Sequence, residues 1–480
     1  MSALDSLPFI HSELFLTATL FVILILDLFV KEKKWFGWLS VLAIVVAFAI
    51  SPPASSPQQL FFGYFTWDAL TFFFKIVAYL TVGLTILASL AYEKIHKSQQ
   101  GELYILLIAM AMLLTFMGGV TNLLMIFLAI ESVSLISYLL VGFQKFDKFS
   151  SEAALKYVLF GSVSSTVMLF GMSLLFGATG TIELAKIAEV LKQPMVSNIQ
   201  GITLIGMMFL LVGIGFKISM VPFHAWAPDV YQGAPTPVTA FLTVAPKALG
   251  FAVIMRVLFM AFPQFIHKWT FLLTLLSILT MTVGNIIAIS QSDVKRLLAY
   301  SSIAQAGYIL VGLAVPGVLG SQAVLMYVVA YLFTNLGAFF TVLAIERNLG
   351  TNQLEAYNGL SERSPFLALA LTMFLLSLAG IPPLAGFIGK IYIFSSAISA
   401  HSVSIAVAIA LNSALAAFYY FKVVKAMYLT APPQTGAPFH NPLPIKIAVC
   451  VTLLGTFLIG IWPMHAMRFV EQTLAFLPTF

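Results

Sequence analysis

Polar positions are rare along this 480-residue chain, and they fall in clusters. Between the clusters run apolar stretches of about 17 residues or more, the length at which a helix crosses a bilayer. Splitting the longest of these at glycine, proline or charge predicts fourteen spans, near 13–30, 36–51, 68–92, 103–118, 121–142, 153–178, 201–223, 237–262, 269–290, 298–315, 321–345, 365–399, 402–421 and 444–462. A membrane β-barrel is excluded, because its alternating strands of about ten residues never give apolar runs this long. The longest joining segments, 179–200, 346–364 and 422–443, leave no room for a soluble domain. The expected fold is an all-α polytopic membrane protein of fourteen transmembrane helices, with its function inside the membrane or shared with partner subunits.

Composition points the same way. At 60% hydrophobic and 9% charged, the chain has too few charges to cover a soluble globule. Basic residues then give the expected topology, since Lys and Arg accumulate in cytoplasmic loops. One set of alternate loops carries fourteen of them, including Lys31, Lys94, Lys145, Arg296, Arg347 and Lys425; the other set, with the tail, carries Lys186, Lys192, Lys268 and Arg468. Both termini are therefore expected on the extracytoplasmic side. No basic region precedes the first apolar stretch, so no cleavable signal is expected. The basic residues form no dense patch of the kind that binds nucleic acid.

Six basic residues remain inside the expected spans: Lys75, Lys156, Lys217, Lys247, Arg256 and Lys390. A charge at mid-span costs about 2.5–3.5 kcal/mol on insertion scales, so it needs a partner or a watery cavity. For Lys75 and Arg256, near span ends, snorkelling or structural pairing is the simpler reading. Lys217, Lys247 and Lys390 lie deep or beside helix breaks. Glu131, in LLMIFLAIESVSLISYLL, is the one acid centred in a span, and it is expected to pair with one of these lysines. The competing reading is a static salt bridge, which would not require surplus lysines.

Two spans carry breakers. Pro222, Pro228, Pro235 and Pro237 follow Lys217, while Gly380, Pro382, Pro383, Gly386 and Gly389 precede Lys390. Proline removes a backbone donor, and a freed carbonyl survives at membrane depth only inside protein or beside water. One interrupted helix in each half of a chain points to an ion site between repeats. His224 sits at the first break and could relay protons. Other chemistry is poorly served. A single cysteine, Cys450, rules out disulfide frameworks and iron–sulfur clusters, and of seven histidines only His224 is near a span interior, so haem is unsupported. The GFIGKI string is no phosphate loop, since Leu384 and Ile391 stand where a glycine and a hydroxyl residue are needed.

The strings GFKISMVPFHAWAPDVYQGAPTPVTAFLTVAPKALGF (215–251), SDVKRLLAYSSIAQAGYILVG (292–312) and LSLAGIPPLAGFIGKIYIF resemble the N-subunit family of respiratory complex I, the bacterial NADH:quinone oxidoreductase. PDVYQGAPTPV is the most specific part, since the related L and M subunits and Mrp-type antiporter subunits carry variants without YQG. The resemblance implies two inverted five-helix repeats, each with a broken helix: an N-terminal three-helix segment over 1–100, bundles over 101–262 and 263–425, and a C-terminal helix over 426–480. It also implies a proton relay of Glu131, Lys217, Lys247 and Lys390, with Lys156, His224 and Lys295 as secondary members. No cofactor is implied in this chain; flavin, iron–sulfur clusters and quinone would belong to partner subunits of a complex in the bacterial inner membrane. Two alternatives stay open: an Mrp-type subunit exchanging Na⁺ or K⁺ for protons, and a purely structural membrane subunit.

Overall fold

The computed structural model describes residues 1–54, 56–193, 199–432 and 439–474. Among these, eleven helices are long and apolar enough to cross a membrane, or twelve if the bent pair Ala3–Phe9 and His11–Asp27 makes one span. The remaining expected spans fall on shorter apolar helices: 36–51 on Lys34–Ala49, and 365–399 on the two pieces Pro365–Ala379 and Ala385–Ser399. A small antiparallel hairpin, Gln58–Leu60 against Phe65–Trp67, interrupts the all-helical pattern before the helix Ala69–Ser89. Three-residue strands fall below what apolar periodicity can detect.

Helix starts follow side-chain chemistry. Asp68, Asn122, Asp147 and Asp293 each accept a backbone N–H from the first turn of the helix that follows. The caps also expose a repeat. Leu123 N–H donates to the Ile182 carbonyl and Leu184 N–H to that of Thr121; in the second half, Val294 donates to Asn352 and Leu354 to Ser292. Each time the tie connects the start of one helix to the segment just after the end of a 32-residue helix, Lys148–Thr179 in the first half and Val318–Leu349 in the second. A broken helix and one further long helix then follow in both halves.

Burial separates inner helices from outer ones, which an all-apolar helix cannot reveal by its own periodicity. Every residue of Thr236–Arg256 is buried, as are nearly all of Val294–Ala314 and most of Val318–Leu349. Lys148–Thr179 instead shows much of its surface outward. Polar side chains on the inner helices, such as Thr243, Ser301, Ser302, Gln305, Thr334 and Asn335, are therefore buried against one another.

Candidate functional site

The first broken helix runs Gln200–Lys217, opens over 218–225 and resumes as Trp226–Gly233. Carbonyls freed at the opening find local donors: Phe216 O accepts from Ser219 N (3.0 Å) and from the Trp226 indole (3.2 Å), and Gly215 O from Met220 N (2.8 Å). Lys217 is the last helical residue, 1% exposed, and its ammonium donates to Ser134 Oγ at 3.0 Å. The second broken helix stops at Gly380, whose φ is +89°, and resumes at Ala385. From this second half Lys390 turns back to donate to the Ala379 carbonyl at 2.8 Å. A Cβ on Gly380 would lie 2.6 Å from Lys390 Cδ, so glycine serves both the left-handed turn and the approach of the lysine. The second break thus sets an ammonium at the carbonyl end of a half-helix, where the helix dipole favours a cation, while the first places Lys217 in the last turn of its half-helix with its ammonium on a neighbouring helix.

Lys247 lies on the continuous inner helix Thr236–Arg256, directly after Pro246. Pro246 has no N–H, so Leu242 O loses its in-helix donor, and the Tyr231 hydroxyl reaches it at 3.4 Å. The Tyr331 hydroxyl donates to Thr243 O at 3.1 Å, and the Asn335 amide to Thr243 Oγ1 at 2.7 Å. The Lys247 ammonium lies 5.4 Å from the centre of the Tyr231 ring and donates to Ser302 at both its carbonyl (3.1 Å) and its hydroxyl (2.9 Å).

Ser302 belongs to Val294–Ala314, which also presents Ser301, Gln305 and Tyr308, at spacings that place them along neighbouring rows of one helix. Ser301 shares a 2.5 Å hydrogen bond with the Tyr420 hydroxyl. The Gln305 amide donates to Tyr420 (3.3 Å) and to Leu378 O (3.2 Å), and it accepts from the Tyr327 hydroxyl. Tyr327 stacks on Tyr308, and the Lys390 ammonium lies 4.7 Å over the Tyr308 ring. Hydroxyls, an amide and ring faces therefore fill the space between Lys247 and Lys390.

The expected ion pair of Glu131 with a lysine is not formed. Ser134, three residues on along Leu123–Val141, takes the Lys217 ammonium, and Glu131 Oε2 is buried with no hydrogen-bond partner among the described residues. His224 lies in the first opening with a buried, unpartnered Nδ1. Lys295 is buried and donates to Ala234 O at 2.5 Å. Lys156 stands apart from the buried line: it is 37% exposed, beside a polar cavity of about 200 Å³, and paired at 2.8 Å with both Glu152 and Asp229. Asp229 in turn holds Arg296 at 2.7 Å.

Glu131 is also not the only deep acid, as the sequence pattern had suggested. Glu13, 3% exposed, pairs with Lys75 at 2.8 Å; Glu346, 6% exposed, pairs with Lys94 at 2.5 Å and accepts from Thr236. Arg256 holds Asp68 at 2.7 Å and donates to Gly118 O. Lys75 and Arg256 are accordingly structural pairs. Their acids sit at helix ends, where a span count treats a carboxylate as interfacial, and only tertiary packing covers them. Among the described residues no cluster of three or more His, Cys, Asp or Glu side chains is arranged to hold a metal ion.

The model of the family described as NADH:quinone oxidoreductase/Mrp antiporter, transmembrane, matches residues 120–416. NADH-quinone oxidoreductase subunit N of Trichlorobacter lovleyi is 40% identical over 471 residues, covering 97% of this chain and 96% of its own. A chain of respiratory complex I from Thermus thermophilus is 30% identical with a TM-score of 0.80, covering 95% of this chain and 98% of that one. A chain of the Mrp complex from Dietzia sp. has a TM-score of 0.82 at 19% identity, covering 98% of both, which is a likeness of fold.

Proposed function

We propose, on the premise that the chain belongs to the NADH:quinone oxidoreductase/Mrp antiporter family of membrane proteins, that it is a proton-translocating membrane subunit of a quinone-reducing, complex I type enzyme. Its partners are other subunits of that assembly, which would hold flavin, iron–sulfur clusters and quinone. One observation carries the relay: Lys217, Lys247 and Lys390 are buried, none is in an ion pair among the described residues, and side-chain hydroxyls and amides lie between the last two.

Protons would load at Lys217, pass by His224 and Tyr231 to Lys247, and continue along Ser302, Gln305 and the tyrosines to Lys390. A buried ammonium is disfavoured by desolvation and favoured by a nearby carboxylate. Bringing Glu131 toward Lys217, or withdrawing it, therefore changes whether that lysine keeps its proton, and the unpartnered carboxylate is free to make such a move. Lys295 would feed this line from the end of the inner helix, and Lys156 would act outside it, at the surface cavity. The recurring cap ties support bundles over 101–262 and 263–425, flanked by 1–100 and 426–480, and the basic-residue count supports termini outside the cytoplasm. An Mrp-type Na⁺ or K⁺ site calls for several free carboxylates together, whereas among the described residues Glu131 is the single unpaired one on the buried line and Glu13, Asp68 and Glu346 are each engaged by a cation.

Glu131→Gln is expected to lower quinone-linked proton pumping in reconstituted vesicles with assembly intact, and by less than the roughly 10²–10⁴-fold lost with a group that itself transfers the proton, because Glu131 acts through Lys217. If the loss of pumping simply follows a loss of assembled protein, Glu131 is structural.

A further inference from the structure

A groove of about 970 Å³ follows the outer face of the helix Val403–Leu429, with Ile289 on its opposite wall. Its floor runs from Ala414 and Ala417 past Phe418 and Phe421 to Lys425 and Tyr428. Fourteen residues separate Ala414 from Tyr428, which at 1.5 Å per residue is about 21 Å, close to one bilayer leaflet including its headgroup region. Of the lining residues on this helix, the small side chains Ala414 and Ala417 come first and the cations Lys422 and Lys425 fall in its second half. Lys422 and Lys425 lie within one turn there, and the Lys422 ammonium rests on the Ile289 and Gln291 carbonyls at 3.3 and 3.1 Å. Lys425 is exposed and has no ion-pair or hydrogen-bond partner among the described residues.

The sequence sharpens this asymmetry. Between Glu362 and Glu471 there is no Asp or Glu at all, so nothing in that stretch can neutralise Lys422 or Lys425. A free cation at one end of an apolar channel of leaflet length is complementary to a negative headgroup carried on an acyl chain. We infer that the groove binds an anionic phospholipid, with an acyl chain along Ala414, Ala417 and Phe421 and the phosphate at Lys425 and Tyr428. The chemistry needed is an aliphatic chain of leaflet length joined to a negative headgroup. This site is separate from the buried lysine line and does not depend on it.

The test uses the full chain, delipidated in detergent and supplied with phosphatidylglycerol or phosphatidylcholine, with retained lipid counted by native mass spectrometry. Wild type should prefer phosphatidylglycerol, by about fivefold for each lysine acting at the surface. Lys425→Glu should erase the preference. Ala417→Trp, which fills the groove, should lower retention of both lipids while the elution profile stays that of a folded chain. Equal retention of the two lipids by wild type would overturn the proposal. So would a preference that survives both variants, or protection of the Lys425 amine from acylation by a neighbouring membrane subunit in lipid-free enzyme, which would assign the groove to protein.

Discussion

Lys247→Ala is expected to abolish proton translocation in vesicles containing the assembled enzyme. Lys247 is the joint of the line: on one side are Tyr231 and the opening that holds His224, on the other Ser302 and the polar row of its helix. Removing a positioned proton-transfer group costs about 10²–10⁴-fold in the step it serves, enough to take pumping below a passive leak. The fold should tolerate the change, because Lys247 donates to a carbonyl and a hydroxyl that have or can find other partners, and no buried carboxylate is left alone. Lys247→Arg separates charge from proton transfer. A guanidinium keeps the positive charge but does not release its proton at physiological pH. Pumping should therefore stay lost in the arginine variant; recovery would mean that Lys247 supplies only a fixed charge.

Glu13→Ala is expected to have the largest effect on stability. Lys75 is fully buried between Glu13, the Ser12 hydroxyl and the faces of Trp67 and Tyr79, and without Glu13 its charge has no counter-ion. Breaking a buried pair from one side costs about 3–5 kcal/mol, whereas replacing both partners by apolar side chains of similar volume is often neutral. The amount of chain surviving detergent extraction and gel filtration should drop sharply for Glu13→Ala and largely recover for Glu13→Leu with Lys75→Met. Equal yields for the single and double variants would remove the pair from the account of stability.

That pair shows where sequence reading stopped. Membrane helices announce themselves by length and hydropathy, and the two interruptions are written in prolines and glycines, so the family architecture and the deep lysines were legible from the chain. Partners were not. Lys75 was visible as a buried cation, but Glu13 stands in the first turn of another helix, where an acid is ordinary. Glu346 looked like the end of a span and is covered by the segment carrying Lys94. Glu131 and Lys217 invited a direct pair by charge alone, and a serine one turn along reached the ammonium instead. The row Ser301, Ser302, Gln305 and Tyr308 was present in the sequence, yet its meaning depends on Tyr327 and Tyr420 arriving from two other helices. Small polar residues in an apolar helix carry no signal of which neighbours they will meet.

The central claim is that protons pass between Lys247 and Lys390 along that row, and Gln305 tests it without touching a lysine. Gln305 links Tyr327, Tyr420 and the Leu378 carbonyl. Gln305→Leu combined with Tyr327→Phe removes the amide and the hydroxyl that bonds to it, which limits the cost of leaving a buried polar group unpaired. The measurement is the number of protons moved per quinone reduced in vesicles containing the assembled double variant. The account predicts a clear fall in that ratio, with Lys390→Ala causing no further loss in the same background. A wild-type ratio in the double variant would contradict it, and the lateral path through the second bundle would have to be given up.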